Sequence, residues 1–573
     1  MSFIFKILFS IMIISVSAHH SDWTMKRKLN LDEKVRFSLI LNNENLDILH
    51  DTFVNISNPY HKSYGKYLNF DEINQIINPL NITYSNIIKQ NILNGFDCNF
   101  YGDSFNCNSM VANIEKVFSV EMYEYVNNNK LIKRSVKDYI IPDEYLEIKF
   151  IDGLSNYLFP SANKKINKFQ VPNSDNRYFG KETMNMVYNI TYNPTNKISV
   201  VAWEFMEGGY VQSDMDYSQF YNNVKDRNVS LLIGSNNPDD VETDLDLEMM
   251  LNYQGIDVYY GETDGWLIES YYQMIDLANQ NKLPDIISIS YGWSEYDMCS
   301  ITTCNNITSQ EYVLQSNLNF NKLGLMGYTV VVSSGDAGSK GRTDETCVTN
   351  ILNPDFPGSS PYVVSVGATF ALESNNTMNF TSLLCEKYGC ATGNLSNPVS
   401  YDLVGWTTGG NFDGYTNASS WEIFANNEYL NSGVYLPNSS WNRYGHGVPT
   451  LTMNGHNCPV YGVYGEQDFN AIDGTSCSAP MFAGLLAYVN DYQLQKTRNK
   501  VGPVQQLLYL LAYEYPTVFT KSNYGYTYCT EQMCCTPNDG FQTPPISTTW
   551  NPVYGLGQPN FGLMTEALDK LFS

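Results

Sequence analysis

The sequence predicts an α/β protein whose parallel sheet is covered by helices on both faces, with an α+β unit ahead of it. Three observations carry this. From about residue 185, short β-branched and apolar runs alternate with longer segments of helical character, the pattern of a parallel sheet with crossover helices. Near the C-terminus, Asp473-Gly474-Thr475-Ser476-Cys477-Ser478-Ala479-Pro480 leads through a glycine turn into the small, apolar run Met481 to Tyr488. Residues 19 to about 160 instead mix strand-like and helical patterns and hold most of the early His and Lys.

Taken in chain order, residues 1–18 read as a secretory signal: Lys6, an apolar stretch from Ile7 to Ile14, then Val16-Ser17-Ala18 as the small-residue cleavage site. The apolar run is too short for a membrane anchor, and no later segment reaches the required length. Residues 160–185 form a polar, linker-like stretch. Runs at 198–205, 231–234, 258–260, 286–290 and 330–333 read as buried strands, and 266–280 and 309–325 as helices. Asn/Gly/Tyr-rich loops are expected over 371–445.

Three segments carry chemistry. The turn before Ser476 delivers a hydroxyl to a helix start, where unpaired N–H groups and the dipole favour negative charge. Read alone, Gly-Thr-Ser is as well an ordinary helix cap. The segment from Asp239 to Leu251 reads as a helix with an acidic first turn. Glu242 and Asp246 share a face of it, and so do Asp244 and Glu248. Spacing leaves both pairs open, and a solvated acidic helix start remains a third reading. The run Val330 to Ser333 ends in Ser334-Gly335-Asp336-Ala337-Gly338, an acid at the carboxyl end of a strand, the edge where ligands collect in α/β sheets. Of six His, four precede residue 62, and His446 and His456 lie in Gly/Asn-rich stretches. A Ser-His-Asp triad is therefore poorly supported, and carboxylates become the candidate bases.

Together, Glu242-x-x-x-Asp246, Ser334 to Gly338 and Gly474 to Pro480 resemble the motifs of the serine-carboxyl peptidases, or sedolisins, most of all their tripeptidyl-peptidase members. Supporting segments are Ser288-Ile289-Ser290-Tyr291-Gly292, Phe356 to Val363, Thr408-Gly409-Gly410, Trp550-Asn551-Pro552 through Phe561, and Ser57 to Leu68. The resemblance covers nearly the whole chain and implies a subtilisin-like sheet behind a ferredoxin-like pro-domain over 19–175, cleaved near 165–178, with the peptidase domain over 176–573. It implies Ser476 as nucleophile, Glu242 as general base, Asp246 as the carboxylate that orients it, and Asp336 as the oxyanion-hole acid. Ser288, Ser290, Tyr291 and Gly292 become candidate substrate-binding residues. The resemblance, not spacing, selects Glu242/Asp246 over Asp244/Glu248.

A carboxylate base of ordinary pKa near 4 stays ionised where imidazole is already charged. An oxyanion-hole Asp336 must in turn be protonated to donate. Activity is therefore expected at roughly pH 3–6. The implied reaction is release of tripeptides from free N-termini of peptides and unfolded proteins. A broad acid endopeptidase of the same family and an inactive secreted binding glycoprotein are the alternatives.

The resemblance also implies a calcium site of aspartates and carbonyls near the C-terminus. The family positions appear here as Thr520, before Lys521, and as Asn551, so no metal or other cofactor is expected, although Lys521 is a candidate electrostatic stand-in. A family Pro-Asp pair ahead of the serine motif appears as Pro449-Thr450.

Twelve Cys fit an oxidising compartment. Cys98/Cys107 and Cys529/Cys534/Cys535 are placed for local bridges, and Cys477 reads as a small buried residue. Ten sequons, at Asn55, Asn81, Asn189, Asn228, Asn306, Asn375, Asn379, Asn394, Asn417 and Asn438, fit a glycosylated luminal protein. The net charge of −25 argues against nucleic-acid binding and suits acid, where protonation relieves self-repulsion. A lysosome-like compartment is expected, with secretion as the alternative, and the pro-domain is the expected internal partner and inhibitor.

Overall fold

The computed structural model describes residues 23–573 apart from 78–81, 128–129, 146, 156–176, 206–207, 239–240, 264, 303, 305–306, 373, 375–377 and 394–395. The expected signal, most of the expected cleavage region, and Asn81, Asn306, Asn375 and Asn394 lie outside the described residues.

The apolar runs become the centre of an eight-stranded sheet. Its order is Ser396–Pro398, Val364–Ala371, Thr329–Ser333, Ile286–Ile289, Ser199–Phe205, Asp257–Thr263 and Ser230–Ile233, with Leu451–Asn454 also joined to Val364–Ala371. Only Ser396–Pro398 is antiparallel to its neighbour. Parallel strands buried on both faces need apolar side chains at every position, and the period of two divides them between two cores. Val200, Ala202, Ile286 and Val331 join the helices Val241–Leu251 and Thr475–Gln495 in one cluster. Val201, Trp203, Ile287 and Val330 join Leu267–Asn279 and Ser309–Leu325 in the other. Both faces are thus helix-covered, in a subtilisin-like arrangement. The carboxyl ends of adjacent parallel strands deliver Ser290 and the Ser334–Gly338 turn to the same edge.

Ahead of this sheet, Asp97–Phe100, Ser104–Met110, Lys34–Leu41 and Ile148–Asp152 form a four-stranded antiparallel sheet in that order. Leu46–Ser57 follows the first of these strands in the chain and Val111–Phe118 follows the third. This is the β-α-β-β-α-β arrangement of ferredoxin-like folds. The unit is docked on the helices of the eight-stranded sheet. Ile40, Tyr101 and Phe150 enter the cluster of Tyr271 and Tyr272, and Leu49, Phe53 and Ile56 pack on Leu318 and Leu325. Within this contact Lys322 Nζ lies 2.5 Å from Asp103 Oδ2, both side chains fully buried, and Gln315 donates to the same oxygen.

Several expectations are corrected. Segment 371–445 is not loop throughout: it holds the helices Leu383–Tyr388, Tyr401–Val404 and Ile423–Leu430 and the strand Asn411–Asn417. The acidic helix is not solvated; residues 242–251 are all buried. Cys98–Cys107 and Cys529–Cys534 are the local bridges expected, but Cys535 pairs with Cys347, 188 residues away. Cys477 is not a lone buried thiol; it is bonded to Cys458. Asn55, Asn189, Asn228, Asn379, Asn417 and Asn438 are all exposed. No helix among the described residues is long and apolar enough to cross a membrane.

Candidate active site

Gly474, at φ +150°, opens the 21-residue helix Thr475–Gln495. A side chain there would be strained by that backbone and would approach Asp336 Oδ2 at 3.3 Å. The glycine therefore lets the acid and the helix start come together. Ser476 stands in the first turn, 2% exposed. Its hydroxyl donates to the Ser290 carbonyl at 3.2 Å. The Cys458–Cys477 bridge ties the next residue of the helix to the strand Cys458–Tyr461.

Ser290 links this turn to the acidic helix. Its Oγ donates to Asp246 Oδ1 at 2.8 Å and makes a longer contact, 3.4 Å, with the Ser476 carbonyl. Glu242 precedes Asp246 by one helical turn on the same face and is 4% exposed. The geometry separates the two acid pairs that spacing left open. Glu248 is directed elsewhere, its carboxylate accepting from Ser218 Oγ at 2.5 Å and from the Tyr461 N–H at 3.0 Å. Burial holds the Glu248 pKa well above the ordinary carboxylate range despite these bonds.

On the other side, Asp336 Oδ1 accepts from the Thr475 N–H at 2.8 Å and from Thr475 Oγ1 at 2.6 Å. Gly335 N–H donates to Thr475 Oγ1. With Oδ1 doubly occupied, Oδ2 is the oxygen turned toward Gly474. Arg342 Nη2 lies 3.9 Å from Oδ2. The Arg342 backbone N–H donates to Asp355 Oδ1, as does Ser294 Oγ. Burial pushes the Asp355 pKa up to about 6 against the pull of Arg342.

The four residues singled out in the sequence therefore lie on three elements that Ser290 and Thr475 tie together. The sequence did not reveal the roles of Thr475, Arg342 and Asp355. Thr475 belongs to the serine motif, but Arg342, in a loop, and Asp355, in the two-residue strand Asp355–Phe356, carry no periodic or motif signal. Of the candidate substrate-binding residues, Ser290 is in the site, and Tyr291 packs edge-on against Phe205 at 5.4 Å. Gly292 lies beside the Phe356 carbonyl, and Ser288 is fully buried within its strand. Each late histidine engages a carboxylate through Nδ1, His446 on Glu422 at 2.8 Å and His456 on Asp473 at 2.9 Å.

Comparison with known proteins agrees with this architecture. Residues 21–157 match the "Pro-kumamolisin, activation domain" family and residues 251–526 the "Subtilase family". Physarolisin of Physarum polycephalum is 28% identical over 99% of both chains. Tripeptidyl-peptidase 1 of Dictyostelium discoideum is 25% identical over 95% of this chain and 91% of its own length. In fold, the chain is similar to a Pseudomonas sedolisin, a serine-carboxyl proteinase solved with two molecules of pseudo-iodotyrostatin. The TM-score is 0.52 at 17% identity, covering 69% of this chain and 98% of that one. With an activation domain ahead of a subtilase-type domain, and relatives matched from end to end, the chain belongs to the sedolisin family of serine peptidases.

Proposed function

We propose that the protein is an acid-active tripeptidyl-peptidase, held as a zymogen by its own pro-domain and working through Ser476, Glu242, Asp246 and Asp336. The observation that carries this reading is the hydrogen-bonded chain from Ser476 through Ser290 to Asp246, with Asp336 fixed by Thr475 at the same helix start. In the reaction, the Ser476 hydroxyl leaves the Ser290 carbonyl and attacks the scissile carbonyl carbon. Its proton passes to Glu242, which Asp246 orients. The developing oxyanion accepts from protonated Asp336 Oδ2 and from helix-start N–H groups. Glu242 then returns the proton to the leaving amine, freeing the C-terminal product. Water, deprotonated by the same carboxylate, attacks the acyl-enzyme and releases the tripeptide. The exposed sequon asparagines and the acidic balance support a glycosylated protein of an acidic, lysosome-like compartment, or a secreted one.

One peptide, prepared with free and with acetylated N-terminus and followed by mass spectrometry across pH, tests this. The expected result is a tripeptide from the free form only, between about pH 3 and 6. Internal cuts in the blocked form would move the assignment to an endopeptidase. Ser476→Ala is expected to lower kcat by at least about 1,000-fold, and Asp336→Ala by about 100- to 1,000-fold with the fold intact.

A further inference from the structure

The family resemblance calls for a calcium ion held by aspartates and carbonyls at the positions of Thr520 and Asn551, and the residues present do not fit one. Calcium prefers charged oxygen ligands. Thr520 is exposed and uncharged. Asn551 is fully buried, and its Oδ1 accepts from the Val553 N–H at 2.9 Å and the Tyr554 N–H at 3.3 Å. Its one acceptor is committed to its own turn.

A cation of the chain's own reaches the carbonyls beside that turn. Lys521 Nζ donates to Thr548 O at 2.6 Å and to Thr549 O at 3.0 Å. Glu428 Oε2 accepts the Thr549 N–H at 2.6 Å, which sets a carboxylate on the same segment. Gly557, at φ +113°, faces this lysine: a Cβ there would meet Thr520 O at 2.6 Å and Lys521 Cγ at 3.2 Å. The glycine leaves room for the lysine stem to lie against the turn. Phe519–Thr520 pairs with Gln558–Pro559, so the ammonium spans a fixed gap rather than a mobile one.

We propose that the Lys521 ammonium replaces the divalent ion, joining the segment after Phe519 to the segment before Trp550, and that this protein holds its fold without calcium. A lysine offers three N–H donors to the carbonyls that a metal would otherwise collect. The replacement is covalent, so it cannot be lost by dilution or chelation.

The test reads stability, so it stands or falls apart from the peptidase assignment. Thermal unfolding of the zymogen near neutral pH, where EDTA holds calcium tightly, is compared in EDTA and in millimolar calcium chloride. Calcium content is measured after dialysis. The expected result is one midpoint in both buffers and no stoichiometric calcium. Lys521→Met is expected to lower the midpoint by at least about 3 °C, with no recovery in calcium. An EDTA-sensitive wild-type midpoint, stoichiometric calcium, or an unchanged midpoint in Lys521→Met would overturn the proposal. If Lys521→Met does not fold, the wild-type comparison alone decides.

Discussion

Ser290 is a narrow connection between Ser476 and the carboxyl group of Asp246. Its carbonyl accepts a hydrogen bond from the Ser476 hydroxyl in the resting state, and its own hydroxyl donates to Asp246. Truncating it leaves Asp246 short of a donor, and a hydrogen bond to a charged group contributes about 1.5–3 kcal/mol. Ser290→Ala is therefore expected to lower kcat about 10- to 100-fold while KM changes little. Steady-state kinetics on an unblocked peptide check this; a KM effect with kcat preserved would return Ser290 to the substrate-binding role its motif implies. At this scale the motifs marked segments that the fold brings together, because a glycine turn into a helix and an acid at a strand end are unusual local sequences. Asp355 and Arg342 carry no such mark, since a single charged residue reads the same in the sequence whether it faces water or another charged group.

Among the elements, the helical turn Glu295–Asp297 and the strand Asn411–Asn417 bring two buried carboxyls together. Glu295 Oε2 accepts from Gly414 N–H, and Asp413 Oδ1 accepts from the N–H groups of Tyr415 and Thr416. Burial first, and the Asp413 charge next, hold the Glu295 pKa well above its ordinary value, and burial likewise raises Asp413. His446 and Glu422 face the same cluster. His446 is raised as well: burial opposes the charged ring, and the Glu422 carboxylate outweighs it. For raised carboxyls, the folded state keeps a proton that the unfolded chain releases near pH 4 to 4.5. Their contribution to stability is complete below that pH and is lost as pH rises. The loss is at most about 1.4 kcal/mol per pH unit for each proton. Glu295→Gln is expected to flatten the fall in stability between pH 5 and 7, measured by urea unfolding of the zymogen over that range. An unaltered slope would assign the dependence elsewhere. Element by element, the central strands were legible because buried parallel strands are unbroken apolar runs. Val364–Ala371 and Leu451–Asn454 escaped, because Gly367, Thr369, Thr452 and Asn454 interrupt them. The acidic helix was legible as a helix but not as a buried one: its polar side chains meet partners from other elements, and periodicity reports only water.

For the whole molecule, the decisive contact is between pro-domain and peptidase. His50, on the pro-domain helix Leu46–Ser57, places Nδ1 2.9 Å from the Tyr362 hydroxyl and stacks on Trp421. Burial lowers its pKa below the ordinary 6.5, with Asp51 opposing. A lowered histidine favours docking while neutral, and that contribution is lost as pH falls below about 6.5 through the lowered value. His50→Phe is expected to shift the onset of zymogen processing to lower pH, read as activation half-time against pH; coincident curves for variant and wild type would remove His50 as the trigger. The sequence could place a pro-domain but not this contact, because docking joins residues more than 300 positions apart. A different long-range tie bears on survival after proteolysis. Cys347 and Cys535 are joined across 188 residues, so a stray cut by another protease anywhere between them nicks the backbone without freeing either piece. A chain wounded over that span can thus still hold together.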